Sequence, residues 1–260
     1  MYRSVRQIAA ARGMLMLRSV REISQYIHPA PQYCQFVHCS SPLEYRFYHT
    51  NDRPLFPSEL PDFQPKVTIE GDDIWSIDKY RELRREFLLR RRELKSIRRV
   101  PLGPYASVTF ESFDLIWIQI QEMLHIENGG DEQLVDELEA YEPLVPKGSD
   151  FVATLMFEID SKPLRERVLY SLGHVEEKVY LQIREEKIFA ESANNDIERT
   201  MPDGKTSSVH FLRFPFSAEQ ADLLRSTPTP TIVLGTTHEN YLHTTTLSPE
   251  TAAALVRDLR

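Results

Sequence analysis

The sequence predicts an α+β fold, in a single domain over residues 74–260 with a mainly antiparallel sheet and interspersed helices. Segments rich in β-branched and aromatic residues come in pairs, and segments with apolar residues at helical spacing lie between those pairs. The roughly 185 residues of this region are enough to bury a full hydrophobic core. No run of about 18 to 20 apolar residues occurs, so no transmembrane segment is predicted.

The first elements are a long helix and a β-hairpin. A helix is predicted over residues 77–98, because Ser76 is a favourable N-cap and Pro101 disfavours helical geometry just beyond the end. Residues 106–110 and 115–118 are both rich in β-branched and aromatic side chains, and turn-forming residues separate them. This pattern predicts that the two segments pair as the strands of a hairpin.

Helices and strand pairs then alternate to the end of the chain. Glycine and proline residues mark most of the boundaries, and Asp131 is a predicted helix N-cap. The predicted helices cover residues 119–127, 132–141, 164–172, 218–225 and 249–259. The predicted strands cover residues 151–159, 179–184, 188–191, 208–214, 231–234 and 242–247.

The first 48 residues differ in charge from the rest of the chain, with six arginines, no lysine and only two acidic residues. Apolar residues at helical spacing accompany the arginines, which is typical of a mitochondrial targeting leader. The string Arg46-Phe47-Tyr48 resembles a matrix-processing site, so we expect the mature chain to start near Tyr48 or His49. Plastid targeting, or a retained basic helix that binds a partner, is the alternative.

Residues 49–73 are rich in proline and aspartate and are predicted to form an extended arm. Removal of residues 1–48 would leave 25 basic and 37 acidic residues, and therefore a net charge of −12. Such a body has little basic surface for phosphate backbones, so DNA is not expected as a partner and RNA is not favoured.

One segment of the acidic body is locally basic. In residues 79–99 arginines and lysines flank apolar residues at helical spacing, and Arg90, Arg91 and Arg92 are consecutive. An amphipathic helix with a solvated basic face is the simpler interpretation. A binding site for RNA or for an acidic partner is the alternative.

Both cysteines, Cys34 and Cys39, lie in the predicted leader. The mature chain would therefore have no thiolate of its own for an iron–sulfur cluster, a zinc site, a disulfide or nucleophilic catalysis. No cofactor is predicted, and any iron–sulfur centre would belong to another chain.

Several strings stand out along residues 74–260, namely YRELRREFLLRRRELKSIRRVPLGP, TFESFDLIWIQIQEML, DELEAYEPLVP, ATLMFEI and VHFLRFPF. Together with residues 238–243 they resemble a bacterial family known as domain of unknown function 3501. The resemblance implies a bacterial origin and genes that lie beside those for rubrerythrin-like proteins and iron–sulfur electron-transfer subunits. It therefore implies a redox context without implying a reaction.

The most suggestive polar cluster consists of Gln119, Gln121, Glu122 and His125. On a helix His125 lies four residues from Gln121 and three from Glu122, so a carboxylate and an imidazole can share one face. The Glu-x-x-His spacing also occurs in di-iron proteins, but those sites need a second such pair and further glutamates. We expect a polar network at a strand-to-helix junction or a partner-binding surface, with Glu122 and His125 as weak metal candidates.

Two further histidines are weak metal candidates. His210 lies in the strand pattern VHFLRF, on the same face as Leu212 and Phe214, which also suits a buried, hydrogen-bonded histidine. His238 and His243 are five residues apart, whereas zinc-protease helices place their histidines four apart. A non-catalytic role is therefore expected for His243.

These observations predict a non-catalytic accessory or assembly component of a mitochondrial respiratory or iron–sulfur electron-transfer complex. Its expected location is the matrix, either free or peripheral to the inner membrane, and its expected partners are protein subunits of that complex. A metal-binding or redox-associated enzyme that uses Glu122 and His125 is the first alternative. A mitoribosomal subunit that docks through the basic helix is the second.

Overall fold

The computed structural model describes residues 66–193 and 199–260, which form an α+β structure with six α-helices and two antiparallel sheets. The predicted leader and residues 49–65 of the predicted arm lie outside the described residues. The helices are α1 (Ile77–Arg98), α2 (Phe113–Glu127), α3 (Gly130–Tyr141), α4 (Lys162–Ser171), α5 (Ala218–Ser226) and α6 (Pro249–Val256). The strands are β1 (Arg99–Leu102), β2 (Ala106–Phe110), β3 (Asp150–Phe157), β4 (Val179–Ile183), β5 (Glu186–Phe189), β6 (Glu191–Ser192), β7 (Val209–Pro215), β8 (Ile232–Thr236) and β9 (Thr244–Thr246).

The strands pair antiparallel throughout the described residues, so the predicted fold class is confirmed, but they divide into two sheets. The first sheet has the order β1-β2-β3-β7-β6, and the second has the order β5-β4-β8-β9. One hydrophobic core joins them, in which Phe110, Phe151 and Phe214 of the first sheet lie with Leu181 and Leu234 of the second. Among the described residues, no helix is long and apolar enough to cross a membrane.

The predicted hairpin of residues 106–110 with residues 115–118 is wrong. Strand β2 pairs with β1, and residues 115–118 belong to α2. Their four side chains are at most 3% exposed. A helix that is buried on every side has no amphipathic period, and its apolar, β-branched sequence resembles that of a buried strand. Ser112 caps this helix, because its Oγ accepts a hydrogen bond from Leu115 N at 3.4 Å.

Helix α1 begins and ends where the sequence predicts. Ser76 Oγ accepts a hydrogen bond from Lys79 N at 3.4 Å, which satisfies one of the free N–H groups of the first turn. Helix α3 begins earlier than predicted, with Gly129 rather than Asp131 as its N-cap. Strand β1 has no counterpart among the predicted strands, and β6 shares only Glu191 with the predicted strand of residues 188–191. The remaining elements from β3 onwards lie within three residues of their predicted bounds.

An aromatic cluster holds α1 against α2. It consists of Tyr80 and Phe87 of α1, Trp117 of α2 and the preceding Trp75, with neighbouring ring centroids 4.8 to 6.1 Å apart. Such pairs contribute about 0.5–1.5 kcal/mol each beyond the burial of their area. Helix α2 also packs against α3, and α1 also packs against α6. One face of α1 is therefore held firmly, and its opposite face is left to solvent.

Candidate functional site

Glu122 lies at the interface of α1 and α2, where 3% of its surface is exposed. Tyr80 Oη donates to Glu122 Oε1 at 2.7 Å, and Arg84 donates through Nε to Oε1 at 2.8 Å and through Nη2 to Oε2 at 3.0 Å. Burial raises the pKa of Tyr80 above its ordinary value, and the neighbouring Glu122 carboxylate raises it further. Both carboxylate oxygens are thus bonded within the protein, and the phenol remains a hydrogen-bond donor.

The two glutamines of the predicted cluster tie α2 to other parts of the helical layer. Gln121 Nε2 donates to Trp75 O at 3.4 Å, and Gln119 Oε1 accepts from Arg91 Nη2 at 2.8 Å. Both contacts cross from α2 to α1 or to the residues that precede it. The cluster therefore lies between two helices, and not at the predicted strand-to-helix junction, because residues 115–118 are helical.

His125 lies apart from the Glu122 carboxylate, although three residues separate them on α2. Its ring packs beside Tyr80, with centroids 6.2 Å apart. His125 Nδ1 is buried and has no hydrogen-bond partner within the described chain. The predicted carboxylate–imidazole pair is thus replaced by an Arg84–Glu122 ion pair with His125 at its outer side.

Arg90, Arg91 and Arg92 of the predicted basic patch point in three directions, because a helix turns by about 100° per residue. Arg90 Nη2 donates to Asp114 Oδ2 at 3.3 Å, and Arg91 is buried against α2. Arg92 is exposed. Only one of the three arginines therefore contributes to the solvent-facing side of α1.

Arg92 belongs to a groove of about 710 Å³ on the outer side of α1. This α1 groove is lined by Arg81, Arg84, Arg85, Leu88, Leu89, Arg92 and His125. Arg81, Arg85, Leu88 and Arg92 follow one another at intervals of four, three and four residues, so they form one stripe along the helix. This spacing is the sequence signal that identifies the groove, whereas the consecutive arginines are a misleading one.

A second polar cluster, absent from the predicted sites, surrounds Lys95 near the C-terminal end of α1. Burial lowers the pKa of Lys95 to about 8, Arg91 also lowers it, and Glu111 opposes that change. Glu111 Oε1 accepts a hydrogen bond from Thr154 Oγ1 at 2.6 Å, and burial raises the pKa of the nearby Tyr141. No local sequence signal marks this cluster, since its residues come from separate helices, a strand and a connecting segment.

His210 is a buried, hydrogen-bonded residue of β7, with 1% of its surface exposed. Its Nε2 lies 2.9 Å from Ser207 O and 3.2 Å from Thr206 Oγ1, and its Nδ1 lies 3.4 Å from Glu176 Oε2. Burial lowers the pKa of His210 to about 4, and the positive charge of Arg199 also lowers it. The imidazole is therefore neutral at physiological pH.

His243 packs against the turn between β1 and β2. Its ring centroid lies 4.5 Å from that of Tyr241, and a Cβ added to Gly103 would lie 2.4 Å from its ring. The weak metal candidates thus occupy different environments, with Glu122 and His125 in the helical layer and His210 and His243 beside the sheets. The described part of the chain contains no group of three or more His, Cys, Asp or Glu side chains that could hold a metal ion.

The comparisons with known proteins place this fold in a family. Residues 68–259 match the sequence model of a protein family that is described as Protein of unknown function (DUF3501). The chain belongs to this family. The DUF3501 chain is also similar to the crystal structure of a novel protein of unknown function from Burkholderia pseudomallei K96243, with 34% identity and a TM-score of 0.68. That match covers 74% of this chain and 100% of the bacterial chain, and no curated protein matches.

The matched residues of this DUF3501 chain include the α1 groove, the Lys95 cluster and His210. The buried polar groups of these sites largely form hydrogen bonds or ion pairs with one another, whereas the α1 groove presents charged side chains to solvent. Arg85 and Arg92 are exposed, and neither has an ion-pair partner in the described parts of the chain. The chemistry that this arrangement offers most directly is the binding of an anionic surface.

Proposed function

We propose that the chain is a non-catalytic accessory or assembly component of a mitochondrial respiratory or iron–sulfur electron-transfer complex, and that it binds protein subunits of that complex in the matrix. The observation that carries the proposal is the contrast between the two sides of α1. On the inner side Glu122 is bonded to Tyr80 and Arg84. On the outer side Arg85 and Arg92 are exposed beside Leu89, which is 53% exposed.

The sequence supports the location and the non-catalytic role. Residues 1–48 combine arginines with an almost complete lack of acidic residues, as an import leader requires. Both cysteines lie in that segment, so the mature chain would serve a redox complex without holding an iron–sulfur cluster on its own thiolates. The resemblance to a family encoded beside iron–sulfur electron-transfer subunits supports the choice of complex.

The two alternative functions are less well supported. An enzyme that uses Glu122 as a base or metal ligand would need that carboxylate to face a substrate or an ion, whereas its side chain is 4% exposed and is paired with Arg84. A mitoribosomal subunit would need a broad basic surface, and the body carries a net charge of −12. Metal analysis of the purified chain and co-sedimentation with ribosomal subunits test these alternatives directly.

The decisive experiment for the proposed function is native fractionation of mitochondria that carry an epitope-tagged copy of the chain. We expect the chain to co-migrate with a respiratory or iron–sulfur complex, and the subunits of that complex to be identified by mass spectrometry of the same fractions. The N-terminal peptide of the recovered chain should start near Tyr48 or His49. Migration as a free chain, or recovery only with ribosomal subunits, would contradict the proposal.

A further inference from the structure

We infer that the α1 groove binds an acidic amphipathic helix of a partner protein, with carboxylates against its arginines and an apolar stripe against Leu88 and Leu89. This inference rests on the proposed function, because it specifies the surface through which the chain binds its partner. The groove has a volume of about 710 Å³ and is lined by side chains of α1, with His125 of α2 at its edge.

Charge complementarity identifies the partner as acidic. Arg84 is neutralised by Glu122, and Arg81 forms an exposed pair with Asp78 at 3.0 Å. Arg85 and Arg92 have no ion-pair partner among the described residues. The groove is therefore a local excess of positive charge on a chain whose net charge is −8. Such a patch attracts an acidic segment and repels basic competitors.

The leucines identify the partner as amphipathic. Leu89 is 53% exposed and Leu88 is partly buried, so two aliphatic side chains lie among the arginines that line the groove. Helices that bind in grooves place apolar residues at helical spacing against such apolar side chains. Proteins that bind single-stranded RNA instead stack successive bases on several aromatic side chains, and the residues that line the groove include a single aromatic ring, the imidazole of His125 at its edge. The lining favours a protein helix over RNA.

The dimensions and rigidity of α1 suit a helical ligand. Arg81 and Arg92 are eleven residues apart, which corresponds to about 16 Å along the axis, or three turns of a partner helix. Tyr80 and Phe87 are fully buried where α1 packs against Trp117 of α2. The groove is therefore formed before the ligand arrives, and little ordering of α1 accompanies binding.

The test uses the full chain and a synthetic helical peptide of about 18 residues, roughly five turns, with leucines on one face and glutamates flanking them. A second peptide has the same composition in an order that removes the apolar face, and a third has lysine in place of glutamate. Single-stranded oligouridine is the RNA probe. Fluorescence anisotropy at about 50 and 200 mM salt measures each affinity.

The variant is the double substitution Arg85→Glu with Arg92→Glu, which reverses two exposed charges of the groove. The matched control is Lys162→Glu with Arg167→Glu, which reverses two exposed charges on α4, outside the groove. We expect the groove variant to bind the amphipathic acidic peptide at least about tenfold more weakly than the unchanged chain, because like charges are then juxtaposed. The control should bind within about twofold. Leu89→Ser should weaken binding without changing its dependence on salt.

Equal binding of the two acidic peptides, equal effects of the two double variants, no binding of the peptide, or preferential binding of oligouridine would each overturn the inference. Native fractionation distinguishes failure of the groove assignment from failure of the proposed function. If the Arg85→Glu, Arg92→Glu chain still co-migrates with the mitochondrial complex, the groove assignment is wrong and the proposed function stands. If the unchanged chain does not co-migrate with a complex, the proposed function is wrong, and the peptide assay decides the groove by itself.

Discussion

Arg84 of α1 donates two hydrogen bonds to Glu122 of α2, from Nε at 2.8 Å and from Nη2 at 3.0 Å. The Glu122 side chain is 4% exposed and the Arg84 side chain is 38% exposed. The pair therefore connects the buried interface of the two helices to the α1 groove. Because the carboxylate is buried, loss of its charged partner or of its own charge is expected to be costly.

The first prediction concerns this ion pair. Glu122→Gln is expected to lower the free energy of unfolding by about 2–3 kcal/mol, because the amide keeps the shape of the side chain but cannot accept both guanidinium bonds. Urea titration followed by circular dichroism measures the change. Arg81→Gln is the matched control, since its partner Asp78 is 90% exposed, and it should change stability by less than about 0.5 kcal/mol. Equal effects of the two substitutions would contradict the prediction.

The second prediction concerns the contact between α1 and the C-terminal residues. Arg98 is 5% exposed and donates to both oxygens of Asp258, at 2.7 and 3.0 Å, and to Ala254 O at 3.2 Å. Arg98→Lys should lower the free energy of unfolding by about 2–4 kcal/mol, because a lysine cannot make these bonds together. Faster amide hydrogen exchange in α6 should accompany the loss.

The control for Arg98 is Arg225→Lys, which alters an exposed pair with Asp222 on α5. This substitution should change the free energy of unfolding by less than about 0.5 kcal/mol. Unchanged hydrogen exchange in α6 of the Arg98→Lys chain would show that the bidentate contact does not anchor the last helix.

The third prediction concerns the contribution of His210 to the pH dependence of stability. Burial lowers the pKa of His210 from its ordinary value of 6.5 to about 4. Between these values the unfolded chain binds a proton that the folded chain does not. The stabilising contribution is therefore complete above about pH 6.5 and is lost as the pH falls toward 4. The loss should be about 2 kcal/mol between pH 7 and pH 5.

Comparison of the unchanged chain with His210→Gln isolates this contribution, because the glutamine does not titrate. The free-energy difference between the two chains should fall by about 2 kcal/mol from pH 7 to pH 5. Burial also raises the pKa of the neighbouring Glu176, but this change is common to both chains, so it cancels to first order in their free-energy difference. His174→Asn is the control, since His174 is exposed and its φ of 59° suits asparagine. A constant difference across this pH range would contradict the prediction.

The fourth prediction concerns Lys95. Burial lowers the pKa of Lys95 from its ordinary value of 10.5 to about 8. The unfolded chain binds more protons between these values, so the contribution of Lys95 to stability is lost as the pH falls from about 10.5 to 8. Lys95→Met removes the buried charge and should raise the free energy of unfolding at pH 7 by about 1–3 kcal/mol.

The increase in the free energy of unfolding caused by Lys95→Met should become smaller toward pH 10.5, because the Lys95 amine then tends to be neutral in both the folded and the unfolded chain. Urea titrations at pH 7 and pH 10 measure the difference. Lys162→Met, at an exposed position of α4, should change stability by less than about 0.5 kcal/mol at either pH. A destabilising effect of Lys95→Met at pH 7 would show that the ammonium group of Lys95 makes stabilising contacts with Glu111.

Part of the candidate site could be predicted from spacing along the chain. Gln119, Gln121, Glu122 and His125 do lie on one helix, and the first three make hydrogen bonds with α1 or with the residues that precede it. Their partners could not be predicted, because Tyr80 and Arg84 are 42 and 38 residues away from Glu122 in sequence. Helical spacing places Glu122 and His125 on a similar side of α2, but the side chains of the neighbouring helix decide which of the two has an ion-pair partner.

The sequence by itself determined the α+β class, the bounds of α1 and the positions of most later elements, because caps, prolines and short apolar periods act over a few neighbouring residues. The tertiary structure decided that residues 115–118 are helical, that the strands form two sheets, and that only some arginines of α1 face solvent. These outcomes depend on what packs against each segment. A helix buried on every side has the composition of a buried strand, and only its neighbours distinguish the two.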